Sequence, residues 1–382
     1  MRIGAASWGI LAAIVLARFA FGYQLQTVAS LGPDLTGAFN LSFAELGSLV
    51  GAYMLPGIAA ALGCGFLAQR IGDRALLGGG MALMALGSAA AALAAGPAGI
   101  AASRVLAGSG AVALTVLSSK VLADRFHGPH FLLVLALMLG AFPIGIGIGQ
   151  ITHLPVAHAY GWRTAFLTGA LPAAAGAALL LASWGGGGGA GRRRLGWPSR
   201  GECVLVLIAG LVWTFYNAAF SAFLTYTPSL LAVRGAPKLL VDLVLNAGTW
   251  GNLPAILLGG AVAARIGPGR VFLLGTCVSA VSLVGIALGH TPLLWGVLFG
   301  TLGALHGGVI VAAGTLSARP ENRAVGMALF YTTYYVGGTV FPALCGRAAD
   351  ADGSPAGALI AGAALSMLAV PFWSLHRRLW RG

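Results

Sequence analysis

Charge is scarce in this 382-residue sequence: Asp, Glu, Lys and Arg together make up 8% of it. Soluble domains carry about 25%, so a water-soluble globule is excluded. Acid is scarcer still, with 9 Asp and Glu against 22 Lys and Arg. All nine acids (Asp34, Glu45, Asp73, Asp124, Glu202, Asp242, Glu321, Asp350 and Asp352) fall at the ends of apolar runs or between them. That removes carboxylate chemistry from mid-membrane depth. Cysteine is nearly absent: Cys64, Cys203, Cys277 and Cys345 are isolated, in or at the ends of apolar runs. Neither a disulfide framework nor a metal-ligand spacing is present. The sequence also lacks a phosphate-cradling Gly-Lys loop and any polar stretch long enough for a nucleotide domain. ATP-driven pumping by this chain alone is therefore excluded, no enzyme constellation survives, and no cofactor is expected.

What the chain has instead is hydrocarbon. It is 58% hydrophobic, with a mean hydropathy of +0.89. Twelve apolar runs lie near 7–31, 44–68, 75–95, 98–119, 131–152, 164–184, 202–228, 239–263, 271–289, 292–316, 324–346 and 355–375. Each supplies the roughly 20 residues that span a bilayer core. Sixteen of the 22 basic residues fall at the termini or in every second gap. The other gaps hold only Arg163, Arg234, Lys238 and Arg347, and Arg18 and Arg104 lie inside runs. Basic residues mark the cytoplasmic side, so a multi-pass protein of the cell (inner) membrane is expected, with both termini cytoplasmic. The net charge of +13 then faces anionic lipid headgroups rather than nucleic acid. The first run reads as a span and not a cleaved signal, because Arg18 interrupts it.

The run pattern is divided at 185–200, GGGGGAGRRRLGWPSR. Poly-Gly followed by an Arg cluster reads as a flexible cytoplasmic linker. It separates an N-terminal six-helix bundle, 1–184, from a C-terminal one, 201–382. The halves repeat one another. GFLAQRIGDR follows the second run and GAVAARIGPGR the eighth, placing Arg-Ile-Gly at Arg70 and at Arg265. Such a repeat implies two all-α bundles about a pseudo-two-fold axis along the membrane normal. The 60 glycines let helix backbones approach closely in lipid.

The loop Gly65 to Arg74 resembles the loop between spans two and three of the major facilitator superfamily, G-x-L-A-D-R-x-G-R-R. Gly65, Leu67, Ala68, Arg70, Gly72 and Arg74 match, while Gln69 stands where that family has Asp and Asp73 where it usually has a base. Arg104 and Gly108 are similar to the family's R-x-x-x-G pattern in span four. GAFPIGIGIGQ, Gly140 to Gln150, loosely resembles the antiporter motif of span five. The stretch Arg18 to Leu35 resembles the cyanate and nitroimidazole permease-like branch. The resemblance implies alternating access, with spans one, four, seven and ten lining a central cavity. It also implies a conformational-switch role for Gly65, Gln69, Arg70, Gly72, Asp73, Arg74, Arg265, Gly267 and Arg270. The family's Asp latches the bundles on the cytoplasmic side, so with Gln69 that latch falls to Asp73 or is absent.

Buried charge is expensive in lipid and marks function by default. Arg18 lies near the middle of span one and Arg104 in the outer third of span four, differing in depth by roughly 10 Å. Arg cannot lose its proton, and its fork suits carboxylates and oxyanions. With no acid at mid-membrane, an anionic substrate can supply the missing charge. The alternative is that Arg18 bonds backbone carbonyls or reaches loop acids, and that Arg104 is a structural residue of the family. Helical spacing adds Thr115 below Arg104 on span four and Gln26 beside Arg18 on span one. Trp213, Tyr216, Asn217 and Phe220 share a face of span seven, and Tyr331, Tyr334 and Tyr335 one of span eleven. These stripes are either packing or a ligand wall. His306, midway along span ten, is the one histidine placed well inside a run, and it is the candidate for carrying a coupling proton. His153, His158 and His290 are read as interfacial.

Three readings follow. The first is a secondary transporter of a small anion, by uniport, proton symport or exchange. The second is a proton-coupled efflux pump for lipophilic or cationic compounds, kept open by the aromatic faces but lacking the buried carboxylate such pumps use. The third is a receptor that kept the fold and lost transport. A monomer is expected, with no nucleic-acid partner.

Overall fold

The computed structural model describes residues 5–126, 129–184 and 196–380, apart from a few side chains within helices, and those residues are helical with short connections. In chain order the helices are α1 (Ala5–Ser30), α2 (Gly32–Phe39), α3 (Phe43–Ala52), α4 (Gly57–Ile71), α5 (Asp73–Ala92), α6 (Pro97–Ala123), α7 (Pro129–Tyr160) and α8 (Trp162–Ser183). Then come α9 (Arg200–Val233), α10 (Lys238–Trp250), α11 (Asn252–Ile266), α12 (Pro268–Leu288), α13 (Pro292–Gly300), a 3-10 turn (Leu302–Ala304), α14 (Gly307–Leu316), α15 (Arg323–Asp352), α16 (Pro355–Met367) and α17 (Ala369–Leu379). The twelve apolar runs become twelve spans of a two-bundle membrane fold. Much of the linker at 185–200 lies outside the described residues.

Four spans expected as single helices are broken. Three breaks have one cause. α3 ends at Ala52, α10 at Trp250 and α16 at Met367, each four residues before a proline: Pro56, Pro254 and Pro371. Proline has no N–H to give the carbonyl four residues back, and its ring crowds that carbonyl. The fourth break, in span ten, has no proline. It runs from Thr301 through the 3-10 turn to His306 and lies among Gly300, Gly303 and Gly307. The connection after span one also holds an unanticipated short helix, α2.

The internal repeat is visible residue by residue. α4 ends at Ile71 and α11 at Ile266, and each is followed by one glycine before the next helix begins. Gly72 has φ +85° and Gly267 φ +92°. Side chains rarely adopt that conformation, so both turns require glycine.

By packing, the chain falls into two compact units. One comprises the described residues of Met1–Thr27 and Leu55–Arg194, the other those of Val28–Met54 and Leu195–Gly382. In the first, α5 packs against both α6 and α8. Residues 28–54 group with the second unit because α3 lies along α15. A Cβ on Gly47 would overlap the Pro342 carbonyl, one on Gly51 that of Thr339, and one on Gly346 that of Phe43. The buried Tyr226 hydroxyl donates toward the Phe43 carbonyl (3.0 Å) and the Pro342 carbonyl (2.6 Å).

The start of α3 is fully accounted for. A helix leaves its first four N–H groups without intrahelical partners. Ser42 Oγ accepts from Glu45 N at 3.2 Å, and Glu45 Oε2 accepts from Ser42 N at 2.9 Å, forming a capping box. The remaining two donors, Phe43 N and Ala44 N, bond the Asp350 carboxylate of α15 at 2.8 and 3.0 Å. A carboxylate there also suits the positive end of the helix dipole. α9 opens with the same box, Ser199 and Glu202, and Glu202 also accepts from Arg319 N at 2.7 Å.

Candidate functional site

In the first unit, α1 carries Arg18 at 9% exposure. Its Nη1 donates to Thr115 Oγ1 of α6 at 3.0 Å. The guanidinium carbon lies 5.5 Å from the Phe21 ring centroid and 5.4 Å from that of Phe142 on α7. Aromatic faces attract a cation where water is excluded. The result is a fixed positive charge set beside a hydroxyl and two rings. The close approach of α7 follows from small residues: a Cβ on Gly22 would overlap the Phe142 carbonyl, and one on Gly145 that of Phe19.

Arg104 is placed differently. Its Nη1 donates to the Gln24 carbonyl at 3.0 Å and its Nη2 to the Leu25 carbonyl at 3.3 Å. It ties α6 to α1, six to seven residues along α1 from Arg18, or about 10 Å. Gln24 donates its amide to the Met84 and Gly169 carbonyls of α5 and α8. Gln26 is buried.

Sequence reasoning missed one residue here. His153, read as interfacial, is fully buried. Its Nε2 lies 3.2 Å from Thr27 Oγ1, and its ring is 4.2 Å from that of Tyr23. The Tyr23 hydroxyl bonds Thr152 Oγ1 at 2.9 Å and Thr168 Oγ1 at 3.0 Å. The error came from the boundary: the apolar run stops at 152, but α7 continues to Tyr160.

In the second unit, the rings of Trp213 and Tyr216 of α9 lie tilted to one another at 5.1 Å, and Trp213 lies 6.4 Å from Tyr334 of α15. Tyr335 is buried, whereas Trp213, Tyr331 and Tyr334 are partly exposed. Asn217 returns its amide to the Trp213 carbonyl at 2.8 Å, an in-helix bond. Trp213, Tyr331 and Tyr334 therefore present the accessible aromatic surface, with Tyr216 and Tyr335 behind it.

His306 caps the break in span ten and is 1% exposed. Tyr216 and Phe272 meet its ring edge-on at 4.7 and 5.6 Å. The Gly303 carbonyl approaches it, but neither ring nitrogen has a partner in hydrogen-bonding geometry among the described residues. Gly275 leaves the space the imidazole fills, since a Cβ there would overlap Nδ1. The buried indole N–H of Trp213 and that of Trp373 likewise have no partner among the described residues. This half of the core thus holds polar atoms not matched by its own side chains.

At the repeat loops, Arg70, Arg74, Arg265 and Arg270 are exposed. Asp73 opens α5 and bonds Lys120 through both carboxylate oxygens at 2.8 Å. Its charge is thereby used inside the first unit. Gly65 belongs to α4, and the Gln69 side chain lies outside the described residues.

A family model described as Major Facilitator Superfamily matches residues 14–241. Among curated proteins, the chain is 31% identical over 171 residues to the inner membrane transport protein YajR of Escherichia coli, covering 42% of this chain and 36% of that one. It is 29% identical over 168 residues to the 4-hydroxybenzoate transporter PcaK of Pseudomonas aeruginosa, covering 43% and 37%. The chain thus spans little more than a third of the length of these two relatives. It is 25% identical over 339 residues to the 3-(3-hydroxy-phenyl)propionate transporter of Escherichia coli, covering 85% and 83%. The solved structure of the nucleoside transporter NupG superposes with a TM-score of 0.77 at 10% identity, over 98% of this chain and 100% of that one. That likeness is one of fold.

Proposed function

The chain belongs to the major facilitator superfamily, and from that premise we propose that it is a secondary transporter of a small organic anion, working by alternating access. The observation that carries this reading is the Arg18 site, where a guanidinium with Thr115 beside it lies against the packed pair of rings of Phe21 and Phe142. A carboxylate is matched by the guanidinium fork, which Thr115 helps to hold in place, and an attached ring by the aromatic faces. Two of the relatives are named for hydroxylated aromatic carboxylates, and that is the substrate class we assign. The membrane is the inner one, with both termini cytoplasmic, as the basic loops favour.

His306 is the proposed proton carrier. It is the titratable group buried at the break in span ten, where a change in charge and a change in helix geometry coincide.

Thermal unfolding of the purified protein with 4-hydroxybenzoate, 4-hydroxybenzamide and a lipophilic cation tests the substrate class. A ligand that binds the native state raises the melting temperature by mass action. The carboxylate is expected to stabilise the protein and its neutral amide is not. Stabilisation by the cation or the amide alone would move the assignment to efflux of lipophiles. In proteoliposomes, His306→Gln is expected to keep substrate exchange while losing accumulation driven by a proton gradient. Loss of both together, or of neither, removes the coupling role.

A further inference from the structure

The second unit carries a groove of about 520 Å³ on the surface where α15 and α16 run side by side, lined by Leu344, Arg347, Ala348, Ala361, Ala364, Leu365 and Leu368. Its size lies within the range of small-molecule sites. Its lining is apolar except for one guanidinium. At the turn between the helices they touch, and a Cβ on Gly357 would come within 2.7 Å of the Ala348 carbonyl. Farther from the turn, three alanines leave the width that larger side chains would fill. The far end, Leu368, is the residue at which the twelfth span breaks between α16 and α17.

Depth fixes what can occupy it. Arg347 is five residues from the last residue of α15, about 8 Å below that helix end, and Leu368 is thirteen residues beyond the start of α16, about 20 Å. The groove therefore runs from headgroup depth to roughly the bilayer midplane. Arg347 is exposed, and among the described residues no carboxylate pairs with it. The nearby Asp350 gives both its oxygens to α3. A charge facing hydrocarbon is costly unless its long stem lifts it to the interface or it meets an opposite charge.

We infer that this groove binds an anionic glycerophospholipid, with the lipid phosphate on Arg347 and the upper part of one acyl chain against Ala348, Ala361, Ala364 and Leu368. The guanidinium supplies two parallel donors to phosphate oxygens, and the alanines leave a shallow, open groove along which an acyl chain can lie. The groove is built entirely from residues of the second unit, none of them assigned to the substrate, so it does not depend on what is transported.

The test is native mass spectrometry of the full-length protein in mild detergent, titrated with dioleoyl phosphatidylglycerol, dioleoyl phosphatidylcholine or inorganic phosphate. Wild type is expected to bind the anionic lipid about tenfold more tightly than the zwitterionic one, and inorganic phosphate without saturable binding. Arg347→Gln is expected to bring the two lipids within about twofold of each other. Ala364→Leu, which narrows the groove and leaves the charge, is expected to weaken both. Equal affinity for the two lipids in wild type overturns the inference, as does an anionic preference that survives Arg347→Gln. Phosphate binding as tight as the lipid's would make the site one for free anions and overturn it too.

Discussion

Arg18→Gln is expected to abolish carboxylate transport while leaving folded protein in the membrane. Hydrogen bonds to a charged group contribute about 1.5–3 kcal/mol, so substrate affinity should fall by roughly 10- to 150-fold. Loss of the cation–π contacts with Phe21 and Phe142 acts on the protein's own stability instead. Arg18→Lys keeps the charge but gives up the planar fork, and an intermediate rate is expected. The measurement is exchange of labelled 4-hydroxybenzoate in proteoliposomes, with the melting temperature of each variant recorded beside it. A glutamine variant that exchanges substrate at the wild-type rate would remove Arg18 from the site. If it fails to exchange and also melts well below wild type, Arg18 is a structural residue held by Thr115.

The second large effect is expected at Gly51→Val. The backbone of α15 occupies the space into which that side chain must grow, at the Thr339 carbonyl. Backbone cannot step aside as a flexible side chain does, so α3 must move away from α15. Overpacking of this kind costs about 1–3 kcal/mol and sometimes more. Cys345, on α15 next to Gly346, is fully buried and reports the separation. In a background where exposed Cys277 and partly exposed Cys203 are replaced by serine, a membrane-impermeant maleimide is expected to leave Cys345 unmodified in the parent protein. In the Gly51→Val protein it is expected to label it. If Cys345 remains protected, the glycine seam is not what holds these helices together.

Much of this arrangement was legible from residue types alone. The apolar runs mark the twelve spans, and the pairing of Arg70 with Arg265 anticipates two turns whose glycines share one unusual φ. The breaks in spans two, eight and twelve were equally open to reading, because each lies four residues before a proline, but hydropathy averages over a break. The break in span ten carries no such mark. His153 was misplaced because α7 outlasts its apolar run, and a polar run-end looks like an interface whether or not other helices cover it. Arg104 shows a deeper limit. Its partners are the backbone carbonyls of Gln24 and Leu25, and every residue has a carbonyl, so no pattern of side chains distinguishes it from a ligand-binding arginine. The same holds for the grouping of residues 28–54, set by glycines that fit α3 against α15 and by a carboxylate at the far end of the sequence.

The cap that Asp350 places on α3 also has an energetic meaning. The amide protons of Phe43 and Ala44 are held by a carboxylate that belongs to another helix, whereas the Ser42–Glu45 box next to them is local and travels with α3. When α3 and α15 part, two protons lose their acceptor and their two neighbours do not. Deuterium from the solvent then enters at Phe43 and Ala44 in proportion to the time the two helices spend apart. Adjacent amides on one turn become a gauge and its reference, reporting the free energy of parting a helix pair without any label attached to the protein.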